Sequence, residues 1–153
     1  WAPKVRIHPK SQDFEPTETE ALRNVAMTAF KMLVDGTGSC YYAMLMGVQH
    51  FPIFEYLNAA TGWNRTPDEY MEAGKRMQTL RQAFNAKHGV DVGAFRMHDR
   101  ASGIPPLSEG HNRGVTLRID EMIRRYREAW GWDPETGLPT RQGFESLGLS
   151  ALP

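Results

Sequence analysis

Residues 17–40 read "TETEALRNVAMTAFKMLVDGTGSC", and they decide the fold class. Thr17 and Glu20 have the spacing of a capping box, in which the threonine hydroxyl accepts the N–H of Glu20 and the glutamate reaches back. Behind them Leu22, Val25, Ala26, Ala29, Phe30 and Leu33 recur at three- and four-residue intervals. That period predicts an amphipathic helix with one face in a core. Gly36 is the expected stop just past its end. The stretch then closes on Asp35-Gly36-Thr37-Gly38-Ser39-Cys40, which contains the only cysteine of the chain.

Working outward, the same signals repeat. "CYYAMLMGVQHF" (40–51) is apolar on most sides and is expected to form a short buried helix. Pro52 suits the first helical position of the next segment, which Gly62 ends. Thr66-Pro67-Asp68-Glu69 combines an N-cap hydroxyl, a proline at the first helical position and a capping-box glutamate. Tyr70, Ala73, Met77, Leu80 and Phe84 then make the expected inward stripe of a helix that Gly89 ends. Val90 to Gly114 is expected to be a long loop. Ile119, Met122, Ile123, Tyr126 and Trp130 mark a further helix closed by Gly131. "WDPETGLP" (132–139) reads as a turn, and Thr140 to Leu147 as a last short helix ended by Gly148. No segment alternates with period two. The reading is all-α: one irregular helical domain over residues 1–153, of about six helices with long loops. Residues 1–16, with three prolines, are an extended lead-in.

Composition narrows the function. Lysine plus arginine and aspartate plus glutamate both number 18 in 153 residues, so there is no basic footprint for nucleic acid and no polybasic membrane patch. Four Trp, five Tyr, seven Phe and eight Met exclude a disordered composition. No apolar run has the length of a membrane span, and nothing resembles a signal peptide. One cysteine cannot form an internal disulfide, which favours the cytoplasm. The first residue is Trp, so the chain is expected to be a piece of something longer.

There is no P-loop, no dinucleotide fingerprint and no H-E-x-x-H pattern. His8, His50, His88, His98 and His111 lack metal-ligand spacing. His88 reads as a surface residue at a helix C-terminus, and His111 as a solvated loop residue. Lys75, Arg76, Arg81 and Lys87 read as a solvated basic face, and Met27, Met32, Met44 and Met46 as core. Two readings of residues 35–40 stay open. In one, Asp35 ends a helix and Cys40 is a small buried hydrophobe. In the other, a helix starting near Cys40 brings free N–H groups and a positive dipole end to its sulfur, favouring the metal-binding thiolate. Asp35 would then accept hydrogen bonds from an amine-rich heterocycle.

The order and spacing of several segments carry a resemblance. "DGTGSC" (35–40), "FEYLNAATGW" (54–63), "RTPDEYMEAGKRMQTLRQAFN" (65–85), "FRMHDR" (95–100) and "YREAWGWDPETGLPTRQGFESLGL" (126–149) resemble the C-terminal domain of the tungsten-dependent aldehyde ferredoxin oxidoreductase family. The likeness runs from about Thr19 to Leu149. In that family a β-rich first domain cradles a tungsten (or molybdenum) bis-pterin, and two helical domains close over it. A [4Fe–4S] cluster takes three cysteines from a C-x-x-C-x-x-x-C run in the second domain and the fourth from a D-x-x-G-L-C motif in the third. Asp35, Gly38 and Cys40 match that last motif, and Ser39 stands where the family has leucine.

The resemblance implies that Cys40 is the fourth cluster ligand and that Asp35, Gly38 and Ser39 border the pterin. It implies an aldehyde substrate, ferredoxin or a similar electron carrier, and the upstream domains of the same polypeptide as partners. An isolated fragment would hold no cofactor and would expose apolar surface, leading to self-association into a homo-oligomer. Tyr41, Tyr42 and the loop around His111 are candidates for the substrate channel wall, and the catalytic residues are unknown. The alternatives are another substrate within the family, such as a sugar-phosphate aldehyde or an aromatic thioester, and a cofactor-free helical interaction domain.

Overall fold

The computed structural model of the chain describes residues 14–42 and 51–149. Among them lie six helices: α1 (Glu18–Gly36), α2 (Ile53–Thr61), α3 (Pro67–Lys87), α4 (Asp99–Ser102), α5 (Ile119–Ala129) and α6 (Arg141–Ser146). The described residues contain two isolated β-bridges, Leu107 with Arg113 and Trp132 with Pro139, and no strand. The all-α expectation is met. The helix expected over 40–51 falls mostly outside the described residues; Tyr41 and Tyr42 have helical backbone.

The helix starts follow the local chemistry. Thr17 Oγ1 accepts the Glu20 N–H at 3.1 Å. At Thr66 both arms of the capping box are present: its N–H donates to Glu69 Oε2 at 2.7 Å, and its hydroxyl oxygen accepts the Glu69 N–H at 3.3 Å. The Thr66 N–H, then the Thr66 hydroxyl, hold the Glu69 carboxyl below the usual carboxylate range. Thr140 caps α6 by accepting the Gly143 N–H at 3.0 Å and donating to the Gly131 carbonyl at 2.7 Å. Pro52 sits one residue earlier than expected, at the N-cap of α2, with a non-helical ψ of 61°.

The core forms where α1 lies against α3 and α5. Val25, Ala26, Ala29, Phe30 and Val34 of α1 meet Ile53, Met71, Trp130 and Trp132. Each fully buried Val, Ile or Phe stabilises by roughly 1.5–3 kcal/mol. The crossing of α1 and α3 is set by one glycine. A Cβ on Gly74 would stand 2.1 Å from the Ala29 carbonyl oxygen, so no other residue allows this approach.

That crossing corrects the expected stripe of α3. The buried residues are Tyr70, Met71, Gly74, Gln78 and Thr79, whereas Leu80 is 36% and Phe84 62% exposed. Tyr70 is buried as expected, and Ala73 and Met77 are half-buried; the stripe fails at Leu80 and Phe84, while Gly74, Gln78 and Thr79 fill the crossing instead. Leu22 and Met27 of α1, also expected inside, are exposed for the same reason: they lie off the face that meets α3 and α5.

Past α5, Gly131 takes φ +71° and turns the chain so that Trp130 and Trp132 stack at 5.1 Å. Tyr126 meets both rings edge-on and pairs its hydroxyl with Thr28 at 3.2 Å. Arg127, buried, donates to the carbonyls of Pro134 at 2.9 Å and Glu135 at 2.7 Å, and to Val92 at 3.4 Å. One guanidinium thereby ties the 132–139 turn to the loop after α3. The long loop is not structureless: α4 starts at His98, whose Nδ1 accepts the Arg100 N–H, and the Leu117 N–H closes back on Ser102 at 2.9 Å.

Candidate functional site

The site is built on the C-terminal end of α1. Thr37 is the last residue near helical φ and ψ, and Gly38 follows at φ +74°. The Ser39 N–H donates to the Val34 carbonyl at 3.2 Å, and the Gly38 N–H to the Asp35 carbonyl at 3.1 Å. This is a Schellman closure with glycine at the left-handed position. The expected stop was therefore two residues early: Gly36 is the last helical residue and Gly38 makes the turn. Gly36 has a separate reason to be small, since a Cβ there would come within 3.2 Å of Met77 Sδ on α3.

The closure fixes where the side chains go. Asp35, exposed in the last turn of α1, forms an ion pair with Lys31 one turn earlier. Thr37 Oγ1 lies 2.8 Å from the Val34 carbonyl and 3.1 Å from Ser39 Oγ. The single proton of Thr37 is shared between the carbonyl and Ser39 Oγ, both of which accept. Cys40 comes next, with a free and exposed thiol directly ahead of the helical residues Tyr41 and Tyr42. The reading of Cys40 as a small buried hydrophobe is thus overturned.

The space around the turn is open, and a Cβ on Gly38 would meet nothing within 4 Å. Among the described residues no three His, Cys, Asp or Glu side chains gather as a metal site. The donor chemistry fits a shared cluster in one respect: an accessible thiol with its backbone fixed, at a surface. Asp35 fits a pterin amine edge once its carboxylate is shared with or released from Lys31.

Other candidates stand apart from this turn. The cleft of about 290 Å³ beside the long loop is lined by residues including Phe14, Arg100, Leu107, Asn112 and Leu117, and by none of residues 35–40. His111 is exposed on that loop, and His88 lies tilted against Phe84 with ring centroids 4.2 Å apart. Reading the sequence missed Lys31 and Thr37. The Lys31–Asp35 pair was visible as an i,i+4 spacing; the hydroxyl pair of Thr37 and Ser39 carries no spacing signal.

Comparison with known proteins assigns the class. The profile described as "Aldehyde ferredoxin oxidoreductase, domains 2 & 3" matches residues 1–149, and the chain belongs to that oxidoreductase family. It is 26% identical to a tungsten-containing aldehyde ferredoxin oxidoreductase of Pyrococcus furiosus over 151 residues, covering 97% of this chain and 24% of that protein. A protein of the same description from Thermococcus kodakarensis is also 26% identical with the same coverage, and one from Pyrococcus horikoshii is 27% identical over 150 residues. The chain spans about a quarter of the length of these relatives. Among the described residues no helix is long and apolar enough to cross a membrane.

Proposed function

We propose that residues 1–153 form the third, helical domain of a tungstopterin oxidoreductase that converts aldehydes to carboxylic acids and passes electrons to ferredoxin or a similar carrier. The observation that carries this reading is the Asp35-x-x-Gly38-x-Cys40 turn, with its thiol free and exposed at the end of a rigid helix. The names of the relatives support tungsten and ferredoxin for the full-length enzyme.

In this reading Cys40 is the fourth ligand of a [4Fe–4S] cluster whose other three cysteines lie elsewhere in the polypeptide. Asp35 accepts from the amine edge of the pterin, while Gly38 and Ser39 lie alongside it. When bound, the metal centre supplies the oxygen chemistry and the cluster the path for two electrons. The share of this chain is to hold a thiolate and a carboxylate at fixed places on one helix end and to wall off part of the substrate channel. A cytoplasmic location belongs to the same reading and is supported by the single cysteine.

The test is Cys40→Ala in the full-length protein, read as iron per polypeptide and as the EPR signal of the reduced cluster. The expected result is loss or conversion of the cluster. Unchanged iron and an unchanged spectrum overturn the assignment.

A further inference from the structure

The donors of residues 37–39, between the end of α1 and Cys40, can be followed one by one to their acceptors. The Thr37 N–H donates to the Leu33 and Val34 carbonyls at 3.1 and 3.2 Å, the Gly38 N–H to Asp35 at 3.1 Å and the Ser39 N–H to Val34 at 3.2 Å. The Thr37 hydroxyl is shared between the Val34 carbonyl at 2.8 Å and Ser39 Oγ at 3.1 Å. The Ser39 hydroxyl breaks the pattern. Its oxygen accepts from Thr37, and its own proton has no acceptor among the described residues.

A hydroxyl that accepts one hydrogen bond is polarised into a better donor. Thr37 therefore does two things for Ser39: it holds the oxygen in place and strengthens the proton that oxygen has left. Ser39 is half-buried, and the next residue carries the exposed thiol. Consecutive Cα atoms stand about 3.8 Å apart, so a group bound at Cys40 is a neighbour of the Ser39 side chain. The residue on the other side does not crowd it, since a Cβ on Gly38 would meet nothing within 4 Å.

We infer that the Ser39 hydroxyl donates its proton to a sulfur of the cluster that Cys40 helps to hold, and thereby raises the reduction potential of that cluster. This inference rests on the reading of Cys40 as a cluster ligand and adds a role for Ser39 within it. Reduction adds one electron, and part of the added negative charge falls on the sulfurs. An O–H dipole directed at a sulfur stabilises the reduced state more than the oxidised one, and hydrogen bonds to the sulfurs are among the groups that set such potentials. No bond is made or broken, and the proton stays on Ser39 Oγ. The turn supplies what this needs: a backbone pinned through the Ser39 N–H, an oxygen fixed by Thr37, and one uncommitted donor.

The experiment uses the full-length protein with Ser39→Ala and Ser39→Thr, and follows the EPR signal of the reduced cluster through a redox titration. Ser39→Ala is expected to keep its iron per polypeptide and to move the midpoint to a more negative potential. Ser39→Thr, which keeps the hydroxyl, is expected to titrate like the unsubstituted protein. An unchanged midpoint in Ser39→Ala overturns the inference. So does a Ser39→Thr midpoint that follows alanine, since the effect would then belong to the shape of the turn. Loss of iron in Ser39→Ala overturns it as well, because Ser39 would then hold the site together rather than tune it. Cys40→Ala separates this inference from the reading beneath it. If Cys40→Ala loses or converts the cluster while the Ser39→Ala midpoint stays unchanged, the cluster assignment stands and the role of Ser39 falls alone. If Cys40→Ala leaves iron and spectrum unchanged, the cluster assignment falls and the role of Ser39 falls with it.

Discussion

Along α1 the molecule changes character between Ala29 and Cys40. At Ala29 the helix is wholly buried, and its carbonyl lies so close to α3 that only Gly74 fits opposite. At Cys40 the chain is open, the thiol faces solvent, and Gly38 has nothing within 4 Å of where a Cβ would sit. Two glycines thus do different jobs. Gly74 exists for a neighbour, and Gly38 for a backbone angle. Packing explains the close approach of Ala29 and Gly74 at the crossing. Packing also explains Gly36, and the left-handed angle explains Gly38 in the turn, but neither calls for a carboxylate at position 35 or a thiol at position 40. Those two residues are what the fold leaves over, and they are the ones to which the proposed function gives a role.

The largest expected effect breaks the closed end. Gly74→Val drives a branched side chain into the Ala29 carbonyl, which lies 2.1 Å from the first added atom and belongs to a helix backbone that cannot rotate away. The expected loss is about 3 kcal/mol in a urea titration, at the upper end of overpacking costs. A loss below about 1 kcal/mol would mean that α1 and α3 slide apart at little cost.

The open end is expected to lose less. Gly38→Ala meets no atom, so its cost is the left-handed angle alone, about 1–2 kcal/mol. Gly38→Asn, which tolerates that angle better, should recover part of it. If alanine costs as much at position 38 as valine does at position 74, the turn is packed against something after all.

This contrast marks what the sequence made legible. Helix starts at Thr17, Thr66 and Thr140 could be read because a cap is a local bargain among four residues. The glycine ends near residues 38, 89, 131 and 148 were readable for the same reason, with an error of two residues at the first. The facing of α3 could not be read, because a glycine that admits another helix looks the same in sequence as a glycine that admits nothing. Hydropathy placed Tyr70 inside correctly, but it chose Leu80 and Phe84 over Gly74, Gln78 and Thr79. Asp35 and Cys40 could be picked out by spacing and resemblance. Their exposure, the Lys31 partner and the Thr37–Ser39 pair depend on how the helix closes, and emerged only from three-dimensional geometry.

A smaller effect tests the capped start of α3, which faces water like the Cys40 turn but is fully satisfied. The Thr66 N–H and hydroxyl lower the folded pKa of Glu69, so its contribution to stability is present above the ordinary carboxylate value of about 4.3. It is lost as pH falls through the lowered value. Glu69→Gln cannot ionise, so stability measured between about pH 4.5 and 2 should fall less steeply than in the unsubstituted chain. Asp133, lowered by the Thr136 N–H and then its hydroxyl, continues to titrate in both proteins and leaves a residual slope. An unchanged slope would show that the capping box does not form in solution.

The smallest effect is expected at Cys40, to which the proposed function assigns the cluster. Cys40 is exposed and lies beyond the last closing hydrogen bond of α1, which Ser39 makes to Val34 at 3.2 Å. Cys40→Ala should therefore change the urea midpoint of the 153-residue chain by no more than about 0.5 kcal/mol, the ordinary range for surface positions. A loss above about 2 kcal/mol would show that the thiol is buried in the folded chain and that packing alone accounts for it. Near-neutral stability here, set beside cluster loss in the full-length protein, separates a residue kept for the cofactor from one kept for the fold. Neither measurement makes that separation alone, because a destabilised domain would also shed its iron.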